Sequence, residues 1–165
     1  MTELRKLIEE TSEDIAIAMS DTKIRFAFEG TVLTSKLIDG TFPDYDRVIP
    51  TANDKVLEVD TKSFADAIGR VSAISTEKSR AVKLALAKDN LTLSASSSEN
   101  DLAVEELSVN YKAEKIEIGF NSRYLQDITQ QISGPSARLT LADAASPTLV
   151  QGVGDESVLY VLMPM

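Results

Sequence analysis

One pattern of secondary structure occurs twice in this sequence, about 60 residues apart, although the two copies share few identical residues. An amphipathic helix is predicted to begin at Thr61 and another at Asn121. A short apolar strand precedes each helix, and three strand-like segments follow it. A period of this length is typical of copies of one supersecondary unit, and such arrays more often form scaffolds than catalytic sites.

The clearer copy covers residues 55–112. Its strand, Val56–Val59, leads into Asp60 and Thr61, whose side-chain oxygens suit a helix N-cap. The segments after the helix alternate between apolar and polar residues, which predicts strands. The helix itself has an apolar face, formed by Phe64, Ile68, Val71 and Ile74.

The second copy, residues 113–165, follows the same order. Alternation at 116–120 predicts a strand, and Asn121–Ser122 can cap the next helix. Gly134–Pro135 ends that helix, and strands are predicted near 139–141, 148–150 and 158–163. The apolar stripe of the helix is predicted at Tyr124, Ile128 and Ile132.

An incomplete third copy is predicted in residues 1–50. Its helix, with Leu4, Leu7 and Ile8, lacks a preceding strand and a cap, and its strand-like segments end near Ile38. We therefore expect a fragment whose N-terminal domain is incomplete. Helices on one face of antiparallel strands predict an α+β fold, with 51–165 as one domain of two repeats, 51–112 and 113–165, related by a pseudo-twofold axis.

The composition excludes several classes of chemistry. The chain has no cysteine and no histidine, so disulfides, thiolate zinc sites and any imidazole base are excluded. With a net charge of −9, the chain as a whole is poorly suited to tight binding of phosphates. No signal peptide or membrane-spanning segment is predicted, which favours a cytoplasmic protein.

Two segments and the repeats together resemble the bacterial DNA polymerase III beta subunit, the sliding clamp. One segment is Thr34–Gly40 leading into Phe42–Tyr45, which is similar to the family's signature between its second and third domains. The other is the terminal Val161–Met165, together with Ile118–Asn121 and Tyr124. The resemblance spans the whole chain and implies the DNA clamp fold of repeated β-α-β-β-β units. Residues 1–50 would be the C-terminal half of clamp domain two and residues 51–165 clamp domain three.

The resemblance implies a non-catalytic subunit without cofactor or metal. In that family two protomers form a homodimeric ring around duplex DNA, with helices lining the hole, and this chain alone could not close such a ring. The helix residues that would face DNA are Arg5 or Lys6, Lys62, Arg70 and Arg123. The ring interface would involve Arg70, Ala73, Ile74, Glu99, Asp101 and Glu105.

The resemblance also implies a groove that accepts short peptides from partners. Those partners would be the DNA polymerase III alpha subunit, the clamp loader, translesion polymerases and mismatch-repair proteins. Flexible methionine and leucine side chains suit a groove that repacks around varied anchors. The groove residues would be Pro43, Arg47, Val48, Ser79, Asn121, Tyr124, Ala145, Pro147, Val161, Leu162, Met163, Pro164 and Met165.

The chain departs from the family at Ser79, where some members carry an aromatic residue, and at its end, because the family usually continues beyond Met165. The domain-two wall of the groove would also precede Met1, so peptide affinity is expected to be weak.

Two other interpretations remain open. An enzyme could in principle use Asp44 and Asp46 to bind magnesium, although a charged linker explains them better. Glu105 and Glu106 would point to opposite faces of a strand and could not share a metal. Gly152–Gly154 is more typical of a hairpin turn than of a phosphate loop. The alternative function is a stand-alone peptide-binding module unrelated to replication.

Overall fold

A computed structural model describes residues 2–9, 11–41, 44–75, 80–97 and 101–165. The chain divides into two compact units, residues 1–43 and residues 44–165, which we call unit 1 and unit 2. Both units combine antiparallel sheets with helices, so the predicted α+β class is confirmed.

Unit 1 is a helix with a three-stranded antiparallel sheet. Helix α1 spans Thr2–Ile8, and the strands β1, β2 and β3 span Ala16–Met19, Lys23–Phe28 and Thr31–Lys36, in that order across the sheet. Among the described residues of unit 1, the buried core is formed by Leu4, Phe26 and Phe28. In β1 the apolar Ile17 and Met19 alternate with alanines, as in a half-buried strand, yet all four residues of β1 are exposed.

The first repeat of unit 2 has the predicted order of elements. A short 3-10 helix, Tyr45–Val48, precedes it. The repeat contains β4 (Lys55–Asp60), α2 (Thr61–Ser72), β5 (Ala81–Ala87), β6 (Asn90–Ser96) and β7 (Leu102–Ser108). A two-residue strand, β8 (Asn110–Tyr111), follows and was not predicted, because two residues carry no readable alternation.

The second repeat has the same order. It contains β9 (Ile116–Asn121), α3 (Ser122–Gln131), β10 (Ser136–Leu141), β11 (Thr148–Gly152) and β12 (Tyr160–Leu162). The last strand is shorter than the predicted 158–163. Gly154 adopts a φ of 83°, so the Gly152–Gly154 segment turns the chain after β11, as predicted.

The two repeats exchange their first strands. Strand β4 of the first repeat pairs with β10, in a five-stranded sheet ordered β12-β11-β10-β4-β8. Strand β9 of the second repeat pairs with β5, in a four-stranded sheet ordered β7-β6-β5-β9. Each sheet therefore contains strands of both repeats.

Both helix starts carry the predicted caps. The Asp60 carboxylate accepts hydrogen bonds from the Ser63 backbone N–H at 2.8 Å and from its hydroxyl at 2.7 Å. The Asn121 side-chain oxygen accepts from the Arg123 N–H at 3.0 Å, so Asn121 is the N-cap and α3 begins at Ser122. These bonds satisfy backbone donors that have no partner within the helix.

The predicted apolar face of α2 is confirmed at Phe64, Ile68 and Val71, whereas Ile74 lies beyond the end of the helix and is only partly buried. The stripe predicted for α3 is only partly correct. Phe64, Ile68 and Val71 of α2 are buried between the sheets and α3. In α3 the structure buries Leu125 and Ile128 but leaves Tyr124 56% exposed. Tyr124 and Leu125 both lie about one turn before Ile128, on opposite sides of it, and the core lies on the Leu125 side, so Tyr124 projects from the edge of the buried face.

Glu58 links three strands of the five-stranded sheet. On β10, Arg138 donates to its carboxylate from Nε at 3.0 Å and from Nη2 at 2.8 Å. On β8, Asn110 Nδ2 donates to the other carboxylate oxygen at 3.2 Å. The hydrogen bonds from Arg138, followed by that from Asn110, hold the pKa of the Glu58 carboxyl below its ordinary value.

We expect the Glu58→Gln variant to be less stable than the wild type at pH 7, by about 0.2–1 kcal/mol. The pKa of Glu58 is lower in the folded than in the unfolded protein, so the ionised carboxylate stabilises the fold at pH values above the unfolded pKa. This stabilisation is lost as the pH falls through the folded pKa. The difference between the two proteins should therefore shrink below about pH 4.3, the ordinary glutamate pKa.

Urea unfolding followed by tyrosine fluorescence measures this difference in unit 2, because all four tyrosines lie in that unit. Glu156→Gln is the matched control, since Glu156 is exposed and has no ion pair among the described residues. A difference between Glu58→Gln and wild type that stays constant from pH 7 to pH 3 would contradict the assigned role of Glu58.

Candidate functional site

A groove of about 620 Å³ lies in unit 2 between α3 and the segment around β12. Its helix wall contains Tyr124, Asp127, Ile128, Gln130 and Gln131. Its strand wall contains Leu159, Tyr160, Val161, Leu162 and Met163. The strand wall is largely apolar and the helix wall adds polar groups at the rim, which is typical of a site for a short apolar ligand segment.

Local structure explains why these residues meet. Tyr124, Asp127, Ile128 and Gln131 are spaced by three and four residues and therefore share one face of α3. Strand β12 forms the edge of the five-stranded sheet, so one of its two sides has no neighbouring strand among the described residues. The helix face and the sheet edge together enclose the groove.

Exposure separates the base of the groove from its rim. Leu162 is only 4% exposed and Ile128 8%, so both side chains belong to the packed core as well as to the groove. Met163 is 61% exposed and Tyr124 56%, although both line the same cavity. Large apolar side chains with this exposure, gathered around one cavity, are typical of a binding surface.

Four of the residues implied by the resemblance come together here: Tyr124, Val161, Leu162 and Met163. The other six lining residues were not predicted. A sequence signal for three of them existed, because Asp127, Ile128 and Gln131 lie one helical turn or two from Tyr124. Leu159 and Tyr160 directly precede the predicted segment and could have been found by extending it.

The remaining predicted groove residues near α3 have structural partners. Asn121 caps the helix, so its side-chain oxygen already accepts a hydrogen bond. The Met165 N–H donates to the carbonyl of Gly119 at 2.9 Å, which attaches the last residues to β9. Pro164 lies between this contact and Met163. Neither Pro164 nor Met165 is among the described residues that line the groove.

Arg47, Val48, Ala145 and Pro147 also do not line the groove among the described residues. Arg47 and Val48 lie in the 3-10 helix, where Arg47 Nε is 3.0 Å from the Asp44 carboxylate. Ala145 and Pro147 lie in the loop between β10 and β11. Pro43 and Ser79 lie outside the described residues.

That loop is organised by Asp143, whose carboxylate accepts from the N–H groups of Ala145 and Ser146 at 2.8 and 2.7 Å. These backbone hydrogen bonds, with the Ser146 hydroxyl, lower the pKa of the Asp143 carboxyl. Asn53 Nδ2 donates to the Pro147 carbonyl at 3.0 Å.

The helix cations predicted to face DNA have different partners. Lys6 Nζ is 3.1 Å from the Glu3 carboxylate, whereas Lys62 and Arg123 have no ion pair among the described residues. The Arg70 guanidinium on α2 donates to Glu105 on β7, from Nε at 3.0 and 3.1 Å and also from Nη2. These hydrogen bonds from Arg70 lower the pKa of the Glu105 carboxyl.

The described residues predicted for the ring interface lie near the C-terminal end of α2 and on or next to β7. Ala73 is the exposed C-cap of α2, and Ile74 packs partly against the core. Asp101 accepts from the Ser97 hydroxyl at 3.2 Å. Glu105 is less exposed than Glu106, as expected for opposite faces of β7. Glu99 lies outside the described residues.

Neither a metal-binding cluster nor a membrane-crossing helix occurs in the described part of the chain. No three potential ligands among Asp and Glu side chains there are placed to hold a metal ion. No helix there has the length and apolar character needed to cross a bilayer.

Comparisons with known proteins agree with this architecture. Residues 46–165 match the family model "DNA polymerase III beta subunit, C-terminal domain", and residues 1–44 match the model for the central domain of the same subunit. The chain is 50% identical over 165 residues to the beta sliding clamp of Caulobacter vibrioides strain NA1000, covering 100% of this chain and 44% of that relative. It is 38% identical over 163 residues to the beta sliding clamp of Haemophilus influenzae, covering 99% of this chain and again 44% of the relative.

Solved structures give the same result. A sliding clamp (DNA polymerase III subunit beta) of Bartonella birtlesii bound to griselimycin superposes with a TM-score of 0.91 at 47% identity, covering 99% of this chain and 44% of that one. The Pseudomonas aeruginosa sliding clamp bound to griselimycin superposes with a TM-score of 0.87 at 36% identity, with coverages of 99% and 44%. The chain thus spans less than half the length of the relatives it matches. By its two consecutive domain matches, its fold and its identity to these relatives, the chain belongs to the DNA polymerase III beta subunit family.

Proposed function

We propose that this chain acts as part of a sliding clamp, a non-catalytic subunit that keeps a replicative DNA polymerase on its template. Residues 1–50 would supply the C-terminal half of the second clamp domain and residues 51–165 the third domain. Full-length subunits would form a head-to-tail dimeric ring around duplex DNA. Membership of the family and the exchange of strands between repeats support this proposal.

In this proposal the groove between α3 and β12 is the docking site for short peptides of partner proteins. The partners would be the polymerase III alpha subunit, the clamp loader, translesion polymerases and mismatch-repair proteins. The observation that carries the proposal is the joint exposure of Tyr124 and Met163 on one cavity whose base, Leu162 and Ile128, is buried. An apolar side chain of a partner peptide would cover the rim residues and contact that base.

The Arg47–Val48 segment and the terminal Pro164–Met165 would form the outer parts of the docking surface. Both segments are exposed for the most part, and Arg47 is held by Asp44 through a single exposed ion pair. Such a pair contributes little to stability, so its guanidinium can exchange Asp44 for a polar group of a peptide at small cost.

The test is direct binding of a labelled peptide derived from a polymerase clamp-binding segment, measured by fluorescence anisotropy with the whole chain. A peptide of the same composition in scrambled order is the control. Saturable binding of the first peptide only, with competition by griselimycin, is expected. Equal binding of both peptides, or no binding with a Kd below about 1 mM, would contradict the docking role.

The alternative is a peptide-binding module unrelated to replication. All described residues that line the groove belong to unit 2, so peptide binding by this unit does not require a ring. The two functions differ in peptide preference. A module unrelated to replication would bind the scrambled peptide or unrelated apolar peptides as well as the polymerase-derived one.

A further inference from the structure

The arginines of unit 2 fall into two groups according to their partners. Arg47, Arg70 and Arg138 each pair with a carboxylate, on Asp44, Glu105 and Glu58 respectively. Arg80 and Arg123 have no ion pair and no side-chain hydrogen bond among the described residues. These two unpaired arginines line the same cavity.

That cavity, which we call the arginine pocket, has a volume of about 420 Å³ and is separate from the groove except for a shared wall at Asp127. It lies between the C-terminal end of α2 and the first turns of α3. The described residues of its lining are all polar: Ser72, Ser75, Arg80, Ser122, Arg123, Gln126 and Asp127.

Backbone contacts fix Arg80 beside α3. The Ser122 N–H donates to the Arg80 carbonyl at 2.8 Å, which joins the residue before β5 to the start of the helix. Arg80 also has a φ of 27°, in a region that non-glycine residues rarely adopt. Conformations of this kind persist only where the surrounding contacts impose them, and they occur often at ligand sites.

A second observation concerns Ser75, a partly buried residue of the lining, whose buried hydroxyl oxygen has no hydrogen-bond partner among the residues that the structure describes. Buried polar groups nearly always have a partner, so an unpaired hydroxyl beside two unpaired guanidinium groups indicates a missing acceptor. The neighbouring Ser72 hydroxyl, in contrast, already donates to the Gly69 carbonyl at 3.2 Å.

The charges of the arginine pocket favour an anion. The chain has 26 acidic and 17 basic residues, yet two arginines stay together without a carboxylate partner. The N-terminus of α3 adds the partial positive charge of the helix dipole on the same side. Asp127 adds one negative charge to the lining. It lies four residues after Arg123 and therefore on the same face of α3, at one edge of the pocket.

We infer that the arginine pocket binds a phosphate group, held by the guanidinium groups of Arg80 and Arg123. Each guanidinium presents several N–H donors in a plane that matches the oxygens of a phosphate, and hydrogen bonds between opposite charges are short and strong. The Ser75 hydroxyl would supply a further donor. The phosphate would belong either to a DNA backbone or to a free small molecule. The first identification rests on the proposed function, and the second is independent of it.

The test uses the whole chain labelled with ¹⁵N and two probes added separately, a 20-base-pair DNA duplex and inorganic phosphate, at low ionic strength. We expect both probes to shift the NMR signals of the Arg80 and Arg123 Nε–H groups and of the Ser122 and Arg123 amides. Binding of the duplex is then measured by fluorescence anisotropy at several salt concentrations.

The test variant is Arg80→Gln/Arg123→Gln. The control is Lys83→Gln/Arg138→Gln, which changes the net charge by the same amount. Its two cations are already paired, Lys83 with Glu117 and Arg138 with Glu58. Removing two phosphate contacts should lower affinity for the duplex by about tenfold and reduce the slope of log K against log salt by about 2, whereas the control should keep both. If Arg80→Gln prevents folding, Arg123→Gln alone is used, because Arg123 is exposed. A reduction of the slope by about 1 is expected then.

If both probes shift the NMR signals of the Arg80 and Arg123 side chains and of the Ser122 and Arg123 amides, and if the test variant binds the duplex more weakly than the control, the phosphate is that of DNA. Shifts with inorganic phosphate but equal duplex binding by test variant and control support the site and overturn its assignment to DNA. Absence of shifts at these groups with either probe overturns the inference. None of these results depends on peptide docking, which is measured at the groove.

Discussion

Replacing Met163 with glutamate is expected to weaken the binding of a clamp-binding peptide by about 30-fold or more, which corresponds to about 2 kcal/mol. Met163 lines the groove and is 61% exposed in the free chain. A bound apolar side chain would cover position 163 and remove the new carboxylate from water without a partner, which is costly. The free energy of unfolding should change little, because the exposed side chain contributes little to the core.

Anisotropy titration of the labelled peptide measures this effect. Met19→Glu is the matched control, since Met19 is also an exposed methionine, at 73%, but lies in unit 1 on β1. An unchanged Kd for Met163→Glu, or an equal loss for both variants, would remove Met163 from the binding site.

The second large effect is expected for Phe64→Ala, which should lower the free energy of unfolding of unit 2 by about 3–5 kcal/mol. Phe64 is 1% exposed and belongs to the core that α2 forms with both sheets. Its removal takes a large apolar surface from the core and leaves a cavity that α2, fixed by its cap and by α3, cannot fill.

Urea unfolding followed by tyrosine fluorescence is again the measurement. Leu102→Ala serves as the control, because Leu102 on β7 is 68% exposed and its truncation should change stability by less than about 0.5 kcal/mol. A loss below about 1 kcal/mol for Phe64→Ala would show that the surrounding core collapses around the missing ring.

Most elements of this fold could be predicted from the period of apolar residues. The faces of α2 and β5, with Phe64, Ile68 and Leu84 buried, follow directly from periods of 3.6 and two. Prediction from the period failed where a segment is too short, as at β8. It also failed where two neighbouring residues both fit the apolar stripe of a helix, as Tyr124 and Leu125 do in α3. It also failed at β1, where alternating apolar residues remain exposed.

The candidate site was harder to predict than the fold. The resemblance indicated Tyr124 and Val161–Met163, which line the groove. Polar residues of the helix wall, such as Asp127 and Gln130, have no local signature that separates them from an ordinary solvated helix face. The unpaired state of Arg80 could not be read at all, because ion pairs such as Arg70–Glu105 join residues far apart in the sequence.

The exchange of β4 and β9 between the repeats has a consequence for how unit 2 holds together. A cut near residue 113 would separate β4 from β10 and β9 from β5, so each of the two sheets would be divided between the halves. The two repeats are therefore mutually dependent rather than two autonomous modules. Unit 2 should accordingly melt in a single step, and the severed pieces should recover their structure only when mixed.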